Sequence, residues 1–263
     1  MEKLTGISET LLVTLYFRCL ETLRSDRLIQ DMQSVDIVQQ IQDVDWSKFS
    51  RDQISQLMVA IRTKIIDDAT RNFLKTHPSA NIINLAAGLC TRFFRVDNGD
   101  LRWYNIDLEP VQQVWMQLIG ESDRHRFIVG SALNFEWSSC LPNHQSQKYL
   151  IIMEGLSMYL NTEMMHQLIA DIQTHFPQSE FILDVISESA LNFDNPNCAV
   201  AQTSAKFSWG INNLQDIETW GANIHLVQEW DYTDYYPQRW HEINIQDLSP
   251  YKNISKVGHF LIP

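Results

Sequence analysis

The sequence predicts an α/β fold in which a mostly parallel sheet is wound on both faces by helices. Three observations predict it. Strand-like and helix-like segments alternate four times between residues 80 and 186, the pattern of parallel strands joined by crossover helices. The strand-like runs are continuously apolar, as at Ile82, Ile83 and Leu85, which a strand covered on both faces requires. The first run ends in Ala86-Ala87-Gly88, and an acid, Asp107, stands nineteen residues beyond Gly88 at the tip of the next run. Small residues let the backbone approach a ligand closely, and a carboxylate at that tip can accept hydrogen bonds from ribose hydroxyls. This is the layout of a nucleoside-binding unit.

Composition bounds the rest. The 263 residues are 44% hydrophobic and 11% aromatic, enough to fill a core. No linker, charge block or repeat divides them, so one domain over 1–263 is expected, with a helical cap at 1–76 on a core at 77–263. The net charge of -12 repels polyphosphate, which argues against a nucleic-acid partner. Cys19, Cys90, Cys140 and Cys198 are widely spaced with no CxxC, and read as free thiols of a reducing compartment. No run is long enough to span a bilayer. The apolar stretch from Leu11 to Phe17 has Glu2 and Glu9 nearby, Arg18 behind it and no small-residue cleavage site. It reads as a helix rather than a leader, and a cytoplasmic protein without membrane association is expected.

Residues 8–45 read as helical and amphipathic, with Leu11, Leu12, Leu15, Leu20 and Leu23 on one face and Leu28, Val35, Val38 and Ile41 continuing it. The spacing predicts a second helix over 51–76, capped by Ser50 with Gln53 as its box partner and ended by Pro78. Its buried stripe runs through Ile54, Leu57, Met58, Ile61, Ile65, Ala69 and Phe73. Arg62 interrupts that stripe. Two readings stay open: it snorkels or pairs with Asp67 or Asp68, or it points into a cleft to hold a ligand carboxylate.

After the strands at 80–85 and 101–107, Glu109-Pro110-Val111 starts a helix that Gly120 closes. A third strand at 126–129 leads into Gly130-Ser131-Ala132-Leu133, and a fourth at 149–153 ends in Glu154-Gly155. Asn161 or Thr162 caps the next helix, which buries Met165, Leu168, Ile169 and Ile172 and carries His175 at its end. The fifth strand is 180–186. Residues 187–212, polar and containing Pro196, are a candidate lid. A short helix at 213–220 precedes strands at 223–230 and 256–262. The loop between those strands holds Trp230, Tyr232, Tyr235, Tyr236 and Trp240, which either stack a planar substrate or pack beneath the loop. His125, between two arginines, reads as solvated.

Two cofactor classes fit a small-residue turn followed by an acid. A dinucleotide needs G-x-G-x-x-G so that its pyrophosphate can sit on a helix N-terminus. The turn here has a single glycine in Ala86-Ala87-Gly88-Leu89-Cys90. S-adenosylmethionine has no phosphate and tolerates that turn. Asp107 suits its ribose, the 131–134 segment its adenine edge, Glu154 its amino group and Arg62 its carboxylate. Capping the helices that follow is the structural alternative for Asp107 and Glu154. No pattern of metal ligands occurs.

The run from Ile83 through Thr91-Arg92-Phe93-Phe94-Arg95 to Gly99 resembles the turn motif of the leucine carboxyl methyltransferase family, on the side of its bacterial polyketide O-methyltransferases. Trp103-Tyr104-Asn105-Ile106-Asp107-Leu108, Glu154-Gly155-Leu156-Ser157-Met158-Tyr159-Leu160, Ile61-Arg62-Thr63-Lys64 and Glu9-Thr10-Leu11-Leu12 are similar to its other motifs. The resemblance covers most of the chain to about residue 190, with a weaker echo at Phe207-Ser208-Trp209-Gly210. It implies a class I S-adenosylmethionine-dependent methyltransferase fold, seven strands with the last reversed. It also implies cofactor contacts at Arg18, Arg62, Ala86, Ala87, Gly88, Asp107, Leu108, Ser131, Ala132, Leu133, Glu154 and Gly155. The chain departs from the family at Ala86, where a glycine stands, and at Cys90, where an aspartate stands. Ala132 replaces an acid of the eukaryotic branch, leaving Ser131, Asn134 or a backbone acceptor for the adenine amine.

The reaction implied is methyl transfer to a carboxylate of a small natural-product or peptide-derived molecule. A carboxylate is ionised at neutral pH and needs no general base, only alignment and removal of water. Arg62 and Tyr159 are the candidates for positioning, Tyr159 alternatively packing behind Glu154. The competing readings are methylation of a phenolic hydroxyl, a nicotinamide oxidoreductase and a non-catalytic protein of the same fold.

Overall fold

The computed structural model describes residues 10–141, 148–192, 199–200 and 203–263. Its centre is a seven-stranded sheet: β1 (Asn81–Leu85), β2 (Arg102–Asp107), β3 (His125–Val129), β4 (Tyr149–Met153), β5 (Ser179–Ile186), β6 (His225–Asp231) and β7 (Ser255–Ile262). The spatial order is β3-β2-β1-β4-β5-β7-β6. Strands β1 to β5 pair in parallel, while β7 runs antiparallel to both β5 and β6. The reversed last strand expected from the sequence is therefore present. The order changes direction at β1 and β4, and the carboxyl ends beside such a switch point are where open α/β sheets place ligands.

Both faces of the sheet are covered. One face packs Ile83, Leu85, Ile151 and Met153 against Met165, Leu168 and Ile172 of α6 (Thr162–His175). The other packs Ile82, Leu150, Ile152 and Ile182 against Ile61, Ile65, Ala69 and Phe73 of α3 (Gln53–Thr76). Two further helices precede α3, namely α1 (Thr10–Thr22) and α2 (Met32–Gln40), while α4 (Arg92–Val96), α5 (Glu109–Leu118) and α7 (Pro237–Glu242) complete the set.

Several expectations need correction. The helical stretch at 8–45 is two helices with a turn between them, and Leu23 is 65% exposed beyond the end of α1. The break follows from Arg24 to Asp31, where Asp31 accepts from the Ser34 amide and starts α2. α3 begins two residues later than expected, because Asp52 rather than Ser50 caps it through the Ser55 amide. The loop after Gly88 contains α4, a helix too short for periodicity to reveal. The helix at 213–220 is a 3-10 segment, Leu214–Thr219. Of the two readings of the aromatic loop, the packed one holds for Tyr232 and Trp240, which are buried in the cluster between the sheet and α3. Glu2, Lys3, Glu9, Pro196 and Cys198 lie outside the described residues; Cys19, Cys90 and Cys140 are free thiols. No helix among the described residues is long and apolar enough to cross a membrane.

His125 overturns its solvated reading. It is 1% exposed, stacks on Phe93 with ring centroids 4.3 Å apart and bonds Asn105 Nδ2 through Nε2 at 2.9 Å. Flanking arginines misled because they alternate outward along β3 while His125 points in. Burial pushes its imidazole down to about 4, from an ordinary 6.5. As pH falls from 7 to 5 the unfolded chain takes up this proton and the folded chain does not, so stability is lost on acidification. Wild type is expected to lose about 2 kcal/mol more than His125→Gln over that interval, read from urea midpoints at the two pH values. Equal losses would contradict it.

Candidate active site

Two adjoining cavities open at the carboxyl ends of the parallel strands. The first measures about 310 Å³, within the usual range for ligand pockets. All twelve residues expected to touch a cofactor line it. The turn after β1 supplies Ala86, Ala87 and Gly88, and the end of β2 supplies Asp107 and Leu108. Ser131, Ala132 and Leu133 follow β3, and Glu154 and Gly155 follow β4. Arg18 reaches in from α1 and Arg62 from α3. Asn134, weighed for the adenine edge, instead caps a 3-10 turn through the Glu136 amide.

The turn after β1 is built for close approach. Gly88 has φ +52°, and a Cβ there would lie 3.2 Å from Leu11 Cβ, so α1 sits directly on the turn. Ala86, where the family pattern has glycine, is also left-handed at φ 49°. An L residue there is strained. Ala86→Gly is therefore expected to stabilise the chain by about 1 kcal/mol, measured by chemical denaturation; a destabilised variant would contradict it.

Asp107 caps nothing distant. Its Oδ2 accepts from the Gly88 amide at 2.7 Å and its Oδ1 from the Leu108 amide at 2.7 Å, while the N-cap residue of α5, Leu108, has no side-chain cap. The carboxylate is thereby fixed between the turn and the strand tip. Burial pushes its pKa up, against the two amides that lower it.

Glu154 and Arg62 meet, and Arg62 holds carboxylates of the protein itself. It bonds neither Asp67 nor Asp68. Its Nε donates to Glu154 Oε1 at 2.8 Å and its Nη1 to Asp184 Oδ2 at 2.8 Å. The guanidinium lies over Gly155, whose φ is +72°. Glu154 does not cap the following helix, a task Asn161 performs. Its other oxygen accepts from Arg92 Nη2 at 2.6 Å.

These pairs belong to a longer buried chain of alternating charge. Arg18 meets Asp31, Asp31 meets Arg95, Arg95 meets Asp67, Asp67 meets Arg92, Arg92 meets Glu154, and Glu154 meets Arg62 and through it Asp184. Arginines and acids balance, so the network is formally neutral. Every link runs between 2.6 and 3.0 Å. Burial works against the charge of Glu154, but Arg92, Arg62 and Arg18 overcome it and hold the carboxyl well below the ordinary range. At Asp184 burial wins and pushes the pKa up, with Arg62 opposing and Glu154 adding to the rise. Sequence reasoning missed Asp184, Arg92, Arg95, Asp67 and Asp31 as parts of the site. Asp184 carried a usable signal, a lone acid inside the apolar run of β5.

The second cavity is about 580 Å³ and shares Arg62, Gly155, Thr10 and Thr14 with the first. Asp184, Tyr159 and Tyr232 line it, as do Lys206 and Phe207. Tyr159 packs against Phe207, ring centroids 5.4 Å apart. The described parts of the 187–212 segment, Ala190, Leu191, Val200 and Ala205 among them, form its outer wall.

A family model, described as leucine carboxyl methyltransferase, matches residues 12–173. The chain belongs to the leucine carboxyl methyltransferase family. Within this family's reach, the chain is 28% identical over 233 residues to the tetracenomycin polyketide synthesis O-methyltransferase TcmP of Streptomyces glaucescens, covering 88% of this chain and 85% of that protein. It is 27% identical to the S-adenosyl-L-methionine-dependent methyltransferase dpfgK of Gibberella zeae, covering 82% of this chain and 79% of that one. Two solved structures share the fold. A DUF574 family protein from Streptomyces avermitilis superposes with a TM-score of 0.59 at 10% identity, covering 97% of each chain. A SAM-dependent methyltransferase from Anabaena variabilis gives 0.54 at 12% identity, covering 84% of this chain and 96% of that one. The sheet order and its reversed strand are thus those of a class I methyltransferase, carried here by a leucine carboxyl methyltransferase family member.

Proposed function

We propose that this family member is an S-adenosyl-L-methionine-dependent O-methyltransferase whose acceptor is the carboxylate of a small molecule. The observation that carries the reading is the pair of adjoining cavities with Arg62 and Gly155 in their shared wall. The smaller cavity fits the cofactor's parts: a carboxylate, Asp107, for the ribose diol, an apolar crevice at Ala132 and Leu133 for the base, and both signs of charge, Arg18 and Glu154, for the amino acid end. The Ala86–Gly88 turn, with its left-handed backbone and α1 pressed upon it, leaves a cradle that larger side chains would fill.

Bound there, S-adenosylmethionine supplies an electrophilic methyl group on a sulfonium. The chain's own residues do the rest. Asp107 anchors the sugar. Glu154, still with free lone pairs beside Arg62 and Arg92, accepts from the ammonium. Arg62, locked on two sides by Glu154 and Asp184, keeps its remaining edge at the boundary between donor and acceptor and cannot swing away. Tyr159 and Phe207 wall the acceptor side and exclude water from the attacking oxygen. A neutral network of this kind holds its charges in place before any ligand arrives, which is how such a site favours an aligned encounter.

The carboxylate reading fits a cavity that no histidine lines among the described residues. A phenolic acceptor is the second reading, and Asp184 favours it, since burial raises its pKa toward proton uptake. Incubation with isotope-labelled cofactor and a panel of small acids and phenols, read by mass spectrometry, separates them. Label appearing as base-labile methyl esters supports the carboxylate reading; label only in aryl ethers overturns it.

A further inference from the structure

Tyr232 is unusual among the tyrosines near the site. Its side chain is 4% exposed, whereas Tyr159 and Tyr251, which line the same cavity, are half-buried. A phenol in a cavity wall offers an apolar ring to the core and a polar tip to a ligand. The ring is anchored in the core between the sheet and α3, and its position is fixed by Asp231, which caps the following turn through the Thr233 amide at 2.9 Å. The residue lines the second cavity and not the first. Of the charged groups around it, Asp184, Arg62, Glu154 and Asp231 act on the hydroxyl, Asp184 most strongly after burial itself. Burial and these acids keep it protonated, a neutral donor throughout the working range.

Lys206 brings a cation to this cavity, and a neutral donor complements it. Arg62 spends its Nε and Nη1 on Glu154 and Asp184, and the network around it is balanced in charge. A carboxylate entering beside Asp184 meets a negative neighbour already paired. One oxygen must stay free to react, and a wall donor that brings no second acid with it suits the other. A tyrosine hydroxyl in the wall supplies that.

We infer that Tyr232 is an acceptor-binding residue: its hydroxyl donates a hydrogen bond to the non-reacting oxygen of the acceptor carboxylate. The inference rests on the proposed function and assigns the acceptor half of the site a residue that selects acids over alcohols. Its apolar surroundings, Val13, Phe17, Met58 and Met158, suit a hydrophobic body behind that acid.

Calorimetry tests it with three probes on wild type and Tyr232→Phe: S-adenosylhomocysteine alone, then 1-naphthoate and 1-naphthol, each in the presence of saturating S-adenosylhomocysteine. The variant keeps the ring and is expected to unfold at a temperature close to that of wild type. It should bind S-adenosylhomocysteine unchanged, bind naphthoate about tenfold more weakly and bind naphthol with unaltered affinity. A merely structural role would shift all three together. Failure of wild type to bind S-adenosylhomocysteine overturns the proposed function. Normal S-adenosylhomocysteine binding with no naphthoate binding to wild type, or with equal naphthoate affinity in both proteins, overturns the role of Tyr232 alone.

Discussion

Arg62→Ala is expected to lower methyl transfer, as kcat/KM, by two to three orders of magnitude, a loss of about 3–4 kcal/mol. The guanidinium is the one side chain that joins both cavities and both carboxylates at the strand tips. Without it Glu154 keeps Arg92, but Asp184 keeps only the Gly155 amide, at 2.6 Å. A buried carboxylate left without its cation takes up a proton or moves. Either response unsettles the turn at Gly155 that separates donor from acceptor. Arg62→Lys should recover little, because a single ammonium cannot bridge two carboxylates along a planar fork. Steady-state assays of both variants, with urea unfolding to separate stability from activity, check this. Activity within a few fold of wild type would contradict it.

Asp107→Ala is expected to weaken S-adenosylhomocysteine binding about a hundredfold while leaving the chain folded. Hydrogen bonds to a charged carboxylate contribute about 1.5–3 kcal/mol each, and the ribose diol offers two. The substitution also frees the Gly88 and Leu108 amides, which face the cavity where water can reach them. Asp107→Asn retains one acceptor and should lose about tenfold. Because burial raises the pKa of this carboxyl, cofactor affinity should begin to fall on acidification at a higher pH than an ordinary aspartate would give, the charged form being the one that binds. Calorimetry across pH reads both effects; equal affinities of wild type and Asp107→Ala would remove the ribose assignment.

Much of this was legible in the sequence because it depends on local pattern. Buried parallel strands announce themselves as unbroken apolar runs, and a turn of small residues followed by an acid at the next strand tip is a spacing that backbone geometry enforces. What was not legible depends on contacts between distant residues. Arg92 is 0% exposed and bonds Asp67, 25 residues away, and Glu154, 62 residues away. Nothing in a helical wheel distinguishes it from a solvated arginine. His125 was misjudged for the same reason: a polar residue looks exposed until the neighbours that enclose it are known. Arg62 shows the middle case. Its place in an apolar stripe marked it, but only tertiary structure showed that its partners are Glu154 and Asp184 rather than Asp67 or Asp68 one turn away.

The account turns on one cavity that grips a sulfonium nucleoside above Asp107. Titration of the full chain with S-adenosylhomocysteine by calorimetry, with NADH in parallel, tests that directly. Saturable one-to-one binding of S-adenosylhomocysteine, none of NADH, and a strong loss in Asp107→Ala are predicted. Binding of NADH instead, or of neither molecule, would contradict it.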